Sequence, residues 1–186
     1  MSEIIGAISK RRARRALSEE AVSRATLERV FSAATMAASC NNKQPWRFMI
    51  CTADGSIEEA REALLPGNYW AKKAPVLVVV MTANELDCQL NDDRNYAWFD
   101  TGMAVAHLLL QATEEGLYAH PMAGFNPTVL REKFDIGEET RIITMIAIGK
   151  PGDSSHLNEK HLESETSERS RKPIDEVVSW ESYTGL

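Results

Sequence analysis

The sequence lacks long apolar runs, clustered cysteines and histidines, and an apolar leader. Its longest apolar stretch, from Ala74 to Met81, has the length of a strand, whereas a membrane-spanning helix needs about 20 apolar residues. The N-terminus shows neither the apolar segment nor the cleavage site of a secretory signal. The three cysteines, Cys40, Cys51 and Cys88, are odd in number and show no CxxC or Cys/His spacing, which argues against a disulfide framework and a zinc site. We therefore expect a protein of the reducing cytoplasm with no membrane segment and no metal.

The net charge of -6 disfavours a nucleic-acid partner, because phosphate backbones are bound through positive fields. Two basic clusters stand out against this acidic background, and they comprise Lys10, Arg11, Arg12, Arg14 and Arg15 at one end and Arg169, Arg171 and Lys172 at the other. The phosphate motifs GxGxxG, GxxxxGKS and GxxxxGKT are absent, so a nucleotide-like ligand would have to be held by side-chain charge. Alone, the first cluster also fits a solvated helix face or a nucleic-acid arm. Together, the two clusters favour a binding site for a small anion.

Helices and strands are predicted to alternate along the chain. Apolar residues at helical spacing predict helices at 2–12, around Leu27 to Ala34, at 57–64 and at 95–115, and the Asn126-Pro127 cap predicts another at 127–134. Strands are predicted at 46–52, 74–81 and 141–148. This order indicates a single α+β domain, residues 1–186, with helices around a mostly antiparallel or mixed sheet.

The C-terminal segment differs in composition from the rest. Residues 151–172 are polar and charged without periodicity, and an apolar patch follows at Ile174, Val177, Val178 and Trp180. A long loop of this kind usually has a function, and an exposed apolar patch indicates a partner surface. We expect the apolar residues of this tail to pack against another protein surface.

Two N-terminal motifs resemble those of the FMN-dependent nitroreductase family. Arg11-Arg12-Ala13-Arg14-Arg15 is similar to the RRSxR opening of the family, and residues 37–46, AASCNNKQPW, are similar to its APSxxNxQPW motif. The later pieces follow in the family's order, and they are Gly67-Asn68-Tyr69, Glu115-Gly116-Leu117, the Pro121 to Phe125 turn, Ile148 to Pro151 and Arg169 to Pro173. Two departures are Ala13 in place of a serine and Ala38 in place of a proline. The resemblance covers essentially the whole chain.

The resemblance implies a fold and an activity. The family fold is an α+β homodimer with FMN at the subunit interface, and its C-terminal arm, here residues 151–186, is exchanged between subunits. The implied reaction takes hydride from NADH or NADPH and reduces nitroaromatics, quinones or similar small acceptors by a ping-pong mechanism. The implied partners are therefore a second copy of the chain and a small electron acceptor.

The resemblance also implies roles for individual residues. Arg11, Arg12, Arg169 and Arg171 would grip the FMN phosphate, with Arg15 as a weaker candidate, since guanidinium suits phosphate geometry. Ala13, Cys40 and Gln44 would line the cofactor, Ser39 and Asn42 would meet the flavin of the partner subunit, and Asn68 would bond the polar edge of the ring. The turn formed by Pro121, Met122, Ala123 and Gly124 would lie near flavin N5, where the N–H of Ala123 or Gly124 would donate. No catalytic side chain is required, because the flavin carries the chemistry.

Other interpretations of these residues stay open. Asn41, Asn42 and Asn68 also suit ordinary turns, Trp46 suits a buried indole, and Cys40 suits either plain packing or a redox role. His120 is the one histidine expected near the ring, whereas His107 suits packing within its helix. The alternative functions are quinone reduction, dehalogenation or flavin degradation on the same scaffold, or a non-enzymatic flavin- or nucleic-acid-binding protein. The short span from Ala83 to Asn95 predicts only a modest lid over the substrate.

Overall fold

A four-stranded antiparallel sheet forms the centre of the protein. The computed structural model describes residues 4–53, 55–92 and 94–183. The strands are β1 (Arg47–Thr52), β2 (Val76–Thr82), β3 (Tyr118–Met122) and β4 (Arg141–Gly149), in the order β1-β2-β4-β3. Every neighbouring pair is antiparallel, which confirms the predicted α+β class and sheet type.

The described part of the chain contains six α-helices. They are α1 (Gly6–Lys10), α2 (Arg24–Thr35), α3 (Ile57–Glu62), α4 (Tyr96–Glu114), α5 (Pro127–Phe134) and α6 (Glu159–Thr166). Alternate residues of β2 point to opposite faces, as strand geometry requires. Leu77 and Val79 pack with Trp70 and the residues of α3 and α5, whereas Val78 packs with the apolar faces of α2 and α4. The central strands are thus buried on both faces, which explains the continuous apolar run in β2.

Local signals set several element ends where they were expected. Ser23 caps α2 by accepting the Thr26 N–H at 3.1 Å. The Asn126 side chain caps α5 by accepting the Thr128 N–H, and Pro127 occupies the first turn. Gly116 takes a φ of +71° after α4, a left-handed conformation that glycine adopts without a Cβ penalty. The predicted helix at 127–134 is confirmed to the residue.

The predicted helix at 2–12 is wrong in its extent. The helix α1 ends at Lys10, and Arg11 already has extended backbone; residues 1–3 lie outside the described residues. The guanidinium of Arg169 donates to the carbonyls of Ile8 and Arg11. The C-terminal segment thus lies against the end of α1 and satisfies these carbonyls. Arg11 and the basic residues after it therefore lie on extended backbone and not on a helix.

Two elements were missed by the sequence analysis. Pro121 and Met122 were predicted to belong to a turn, but they are the last two residues of strand β3. The Met122 side chain is buried in the core. The stretch described as aperiodic contains α6, capped by Asn158, which accepts the His161 N–H at 2.9 Å. Neither carried a strong local signal, because β3 contains a proline and α6 buries none of its residues. In the described part of the chain, no helix is both long and apolar enough to cross a membrane.

Candidate functional site

Four arginines from opposite ends of the chain converge at one place. Burial, followed by the charges of Arg169, Arg171 and Arg12, lowers the pKa of the Arg11 guanidinium. Among the described residues, none of these four side chains forms an ion pair with a carboxylate. Like charges held together without a counter-ion raise the free energy of the folded protein. The cluster is therefore arranged to accept an anion.

Backbone carbonyls hold this arginine cluster in place. Arg12 Nη2 donates to the Ser167 carbonyl at 2.7 Å, and Arg169 Nη1 donates to the Ile8 carbonyl at 3.2 Å. Arg171 Nη1 donates to the carbonyl of Ser170 at 2.6 Å. The bonds of Arg12 and Arg169 fix the C-terminal segment against the N-terminal segment, and each guanidinium keeps further donor positions. The two basic clusters seen in the sequence thus form a single surface.

The neighbouring cations have different partners. Arg14 pairs with Glu165 at 3.9 Å, and the Arg15 guanidinium lies 5.8 Å above the Trp70 ring, which is cation–π distance. Ala13, which precedes Arg14, is exposed. The structure therefore separates Arg15, the weaker phosphate candidate, from the four that converge.

A buried histidine connects the arginine segment to the next part of the site. His120 Nδ1 lies 3.0 Å from the Arg14 carbonyl, and its ring lies 4.6 Å from the ring of Trp70. Burial chiefly, and then the charges of Arg15, His161 and Arg11, lower the pKa of His120 to about 4. The imidazole is consequently neutral at pH 7 and keeps its position between β3 and the segment 66–73.

Asn68 and the turn after β3 meet directly. Asn68 Nδ2 donates to the Gly124 carbonyl at 2.8 Å, and the same carbonyl accepts the Leu65 N–H at 3.2 Å. A Cβ atom at position 124 would lie 2.8 Å from Asn68 Nδ2, so only glycine leaves the amide in this position. In the described part of the chain, no turn or loop hydrogen bond uses the N–H of Ala123 or Gly124. This turn accordingly has donors available for a ligand.

The loop 39–44 has an unusual backbone. Asn41, Asn42 and Gln44 all have positive φ values, of 47°, 56° and 51°, a conformation that costs energy for residues other than glycine. Ser39 Oγ accepts the Gln44 N–H at 3.0 Å, and Gln44 Nε2 donates to the Asn42 side chain at 3.2 Å. Asn42 and Gln44 remain exposed. Clustered backbone strain of this kind is typical of functional loops.

The loop 39–44 stands apart from the other two groups within one chain. Among the described residues, its hydrogen bonds outside the loop go to Asp100, Cys88 and Arg47, and none of its hydrogen bonds reaches the four converging arginines or Asn68. The structure brings the arginines, His120, Asn68 and Gly124 together through a chain of contacts. It does not bring Ser39, Cys40, Asn42 or Gln44 to them.

Cys40 and Cys88 form a disulfide, so the expectation against one was wrong. The odd cysteine count is explained by Cys51, which is free and buried. Residue spacing detects local pairs such as CxxC, whereas the two bonded residues are 48 positions apart. Their Cα atoms are 6.1 Å apart, within the range that a disulfide requires. With both sulfurs joined, the cluster of Cys40, Asp87 and Cys88 retains only a carboxylate as a metal ligand.

Comparison with known proteins agrees with the fold and the motifs. The sequence model of the Nitroreductase family matches residues 8–66 and 58–150. A 15.4 kDa protein of Mycolicibacterium smegmatis is 32% identical over 128 residues, and the match covers 68% of this chain and 83% of that one. An NADH dehydrogenase of Thermus thermophilus is 24% identical over 201 residues, and the match covers 92% of each chain. A crystal structure of an oxidoreductase containing FMN has a TM-score of 0.89 at 29% identity and covers 99% of this chain and 94% of the other. The chain therefore belongs to the nitroreductase family.

Proposed function

We propose that the protein is an FMN-dependent oxidoreductase that takes hydride from NADH or NADPH and reduces nitroaromatic, quinone or similar small acceptors in alternating half-reactions. The observation that carries this proposal is the convergence of Arg11, Arg12, Arg169 and Arg171 without a carboxylate counter-ion. Two similar proteins add support, because one contains FMN and the other is an NADH dehydrogenase.

The arginine cluster suits the phosphate end of FMN. A phosphate dianion accepts paired, charge-assisted hydrogen bonds from guanidinium groups. Burial first, and then the charges of the neighbouring arginines, lower the pKa of Arg11, and the repulsion among these charges would be relieved when the dianion binds. Since the cluster is built from both ends of the chain, binding should also stabilise the contact between those ends.

Asn68 and the turn 121–124 suit the ring end. The Asn68 amide both donates and accepts, as the polar edge of a flavin requires, and Gly124 allows close approach. When bound, FMN supplies hydride acceptance and donation at its N5 atom. The N–H of Ala123 or Gly124 would donate toward N5 and orient the ring, while the neutral His120 and Trp70 support the strand that carries this turn.

A homodimer would complete the site with the loop 39–44 of a second copy. We infer this because the loop is strained and exposed yet makes no contact with the other site residues of its own chain. Exposed apolar side chains are available for such an interface, including Met36, Trp98, Phe99 and Trp180. Residues 151–171 pack on their own chain. We therefore propose that only the apolar residues from Ile174 onward, and not the whole of residues 151–186, are exchanged between subunits.

The phosphate assignment is tested with Arg11→Ala and two flavins. Loss of a charged hydrogen bond costs about 1.5 to 3 kcal/mol, which corresponds to a roughly 10- to 150-fold weaker FMN affinity. Riboflavin, which has no phosphate, should bind the variant and the parent protein equally. The matched control is Arg24→Ala, since that side chain is 92% exposed and lies on α2, away from the cluster. Equal weakening of both flavins would mean that Arg11 acts through folding.

The activity is tested on the purified protein directly. We expect about one FMN per chain and anaerobic bleaching of the flavin by NADH or NADPH, because the cofactor performs the hydride transfer. Addition of a quinone or nitroaromatic should restore the oxidised spectrum. A colourless protein that gains no flavin absorbance with added FMN would overturn the proposed function.

A further inference from the structure

The Cys40–Cys88 disulfide joins the strained loop 39–44 to the segment that follows β2. Cys40 belongs to the strained loop 39–44, and Cys88 follows the short 3-10 helix Asn84–Leu86 after β2. Both cysteines are partly exposed, whereas Cys51 is fully buried. A soluble thiol can therefore reach this disulfide.

The folded core around the loop does not depend on this bond. Asp100 Oδ2 of α4 accepts the Cys40 N–H at 2.7 Å, and the Thr82 hydroxyl donates to the Pro45 carbonyl at 3.0 Å. Between the two cysteines, β1 and β2 pair in continuous register. Reduction would thus release the segment around Cys88 while the core remains folded.

Two buried carboxyls lie beside the disulfide. Asp87 and Asp100 are 4% and 0% exposed, and each accepts the backbone N–H of one of the bonded cysteines at 2.7 Å. A carboxylate oxygen of Asp87 lies within 4.8 Å of both sulfur atoms. Asp87 Oδ2 and Asp100 Oδ1 have no donor in the described part of the chain, and the Asp100 side chain interacts with that of Asp87, so a proton on Asp100 would be shared with Asp87. Burial, together with the Asp87 charge, raises the pKa of Asp100 accordingly.

We propose that Cys40 and Cys88 form a thiol–disulfide exchange site that is reduced by dithiols and that sets how firmly the loop 39–44 is held, with Asp87 as the proton donor to the departing sulfur. The proposal rests on the proposed function for its effect on the flavin, but the exchange chemistry itself does not. A disulfide whose cysteines are partly exposed is more often labile and regulatory than a buried structural one.

The chemistry is a two-electron reduction by an external dithiol. A thiolate of the dithiol attacks Cys40 Sγ, the Cys40–Cys88 bond breaks, and Cys88 leaves as a thiolate. Asn41 Nδ2 donates to Cys88 Sγ at 3.5 Å and would stabilise that thiolate until the carboxyl pair delivers its proton. The second thiol of the reagent then attacks the mixed disulfide and frees Cys40, so the dithiol ends as a cyclic disulfide. The two protons of the dithiol balance the reaction: one restores the proton that the carboxyl pair gave to Cys88, and the other ends on Cys40.

The exchange is measured by alkylation and mass spectrometry of the folded protein. Without reductant we expect no alkylation. After dithiothreitol treatment under native conditions we expect two added groups, on Cys40 and Cys88, with Cys51 reacting only after denaturation. Asp87→Asn should slow native reduction by about 100-fold, the low end of general acid catalysis. Asp92→Asn is the matched control, because Asp92 is an exposed carboxyl on the same segment.

A second measurement connects the exchange to the flavin. Reduction should weaken FMN affinity about fivefold, the equivalent of losing one hydrogen bond from a loosened loop, and Cys88→Ser should show the weakened affinity with or without dithiothreitol. A disulfide that dithiothreitol reduces only in denaturant, or an Asp87→Asn rate equal to that of the parent, would overturn the exchange site. Unchanged FMN affinity after complete reduction would overturn the link to the loop. Absence of FMN binding in every form would instead refute the proposed function and leave the alkylation result valid.

Discussion

Replacement of Gly124 by alanine tests the ring end of the site at a single atom. The added Cβ would lie 2.8 Å from Asn68 Nδ2, closer than carbon and nitrogen atoms approach in folded proteins. Asn68 must therefore move, and its 2.8 Å hydrogen bond to the Gly124 carbonyl is lost. A neutral hydrogen bond contributes about 0.5 to 1.5 kcal/mol to stability. We expect the flavin-free variant to lose roughly this much free energy of unfolding in urea.

The same displacement should weaken flavin binding. Asn68 would no longer present its amide to the polar edge of the ring, and a loss of about 1 to 1.5 kcal/mol corresponds to a roughly 5- to 15-fold weaker affinity. FMN and riboflavin should be affected equally, because both carry the ring. This result would distinguish Gly124 from Arg11, whose replacement should weaken FMN alone.

Two further variants test whether the clash with Asn68 causes the effects of Gly124→Ala. Gly67→Ala is the matched control, since it adjoins Asn68 and a Cβ at position 67 meets no atom within 4 Å. Asn68→Ala removes the atoms that would clash, so adding Gly124→Ala to it should cost little more. Full additivity of the two changes, or riboflavin affinity unchanged by Gly124→Ala, would refute the assignment of this turn to the flavin ring.

Two other predictions concern the tail and the buried histidine. A chain that ends at Pro173 keeps the arginines but lacks the exposed apolar residues after it, so in sedimentation it should dissociate at a higher protein concentration than the full chain; unchanged association would show that the tail is not part of the interface. Burial lowers the pKa of His120 from 6.5 to about 4. Between these two pH values the folded protein therefore binds fewer protons than the unfolded chain. The free energy of unfolding should fall by up to about 3 kcal/mol as the pH decreases from 6.5 to 4. His120→Asn should remove this part of the decrease, whereas the same change at the exposed His107 should preserve it, and equal pH profiles for the two variants would contradict the assignment.

Local chemistry explains what could be predicted from the sequence. The helix at 127–134 was predicted correctly because Asn126 and Pro127 define its start through contacts between adjacent residues. Strand β2 was recognised because a run buried on both faces is continuously apolar. The family was recognised from motifs at both ends of the chain, and the match to residues 8–150 confirms it.

Strand β3 and helix α6 were missed because their stability comes from tertiary contacts. Residues of β3 are held by their pairing with β4, Tyr118 with Gly149 and Met122 with Met145. Helix α6 is held by the stacking of His161 on Tyr69 and by the hydrogen bond that Glu165 accepts from the Arg15 N–H. No hydrophobic period marks either segment in the sequence. Such elements become visible only when their neighbours are in place.

The sequence by itself determined the composition of the site: the basic residues, the amides and the glycine that suit a flavin nucleotide. Only the tertiary structure decided their arrangement. It placed Arg169 against Arg11, which is 158 residues away, set Asn68 against Gly124, and joined Cys40 to Cys88 above two buried carboxyls. The physical reason is that capping, turn and strand signals act between residues close in sequence, whereas a binding site depends on distances that the packing of the sheet and its helices fixes.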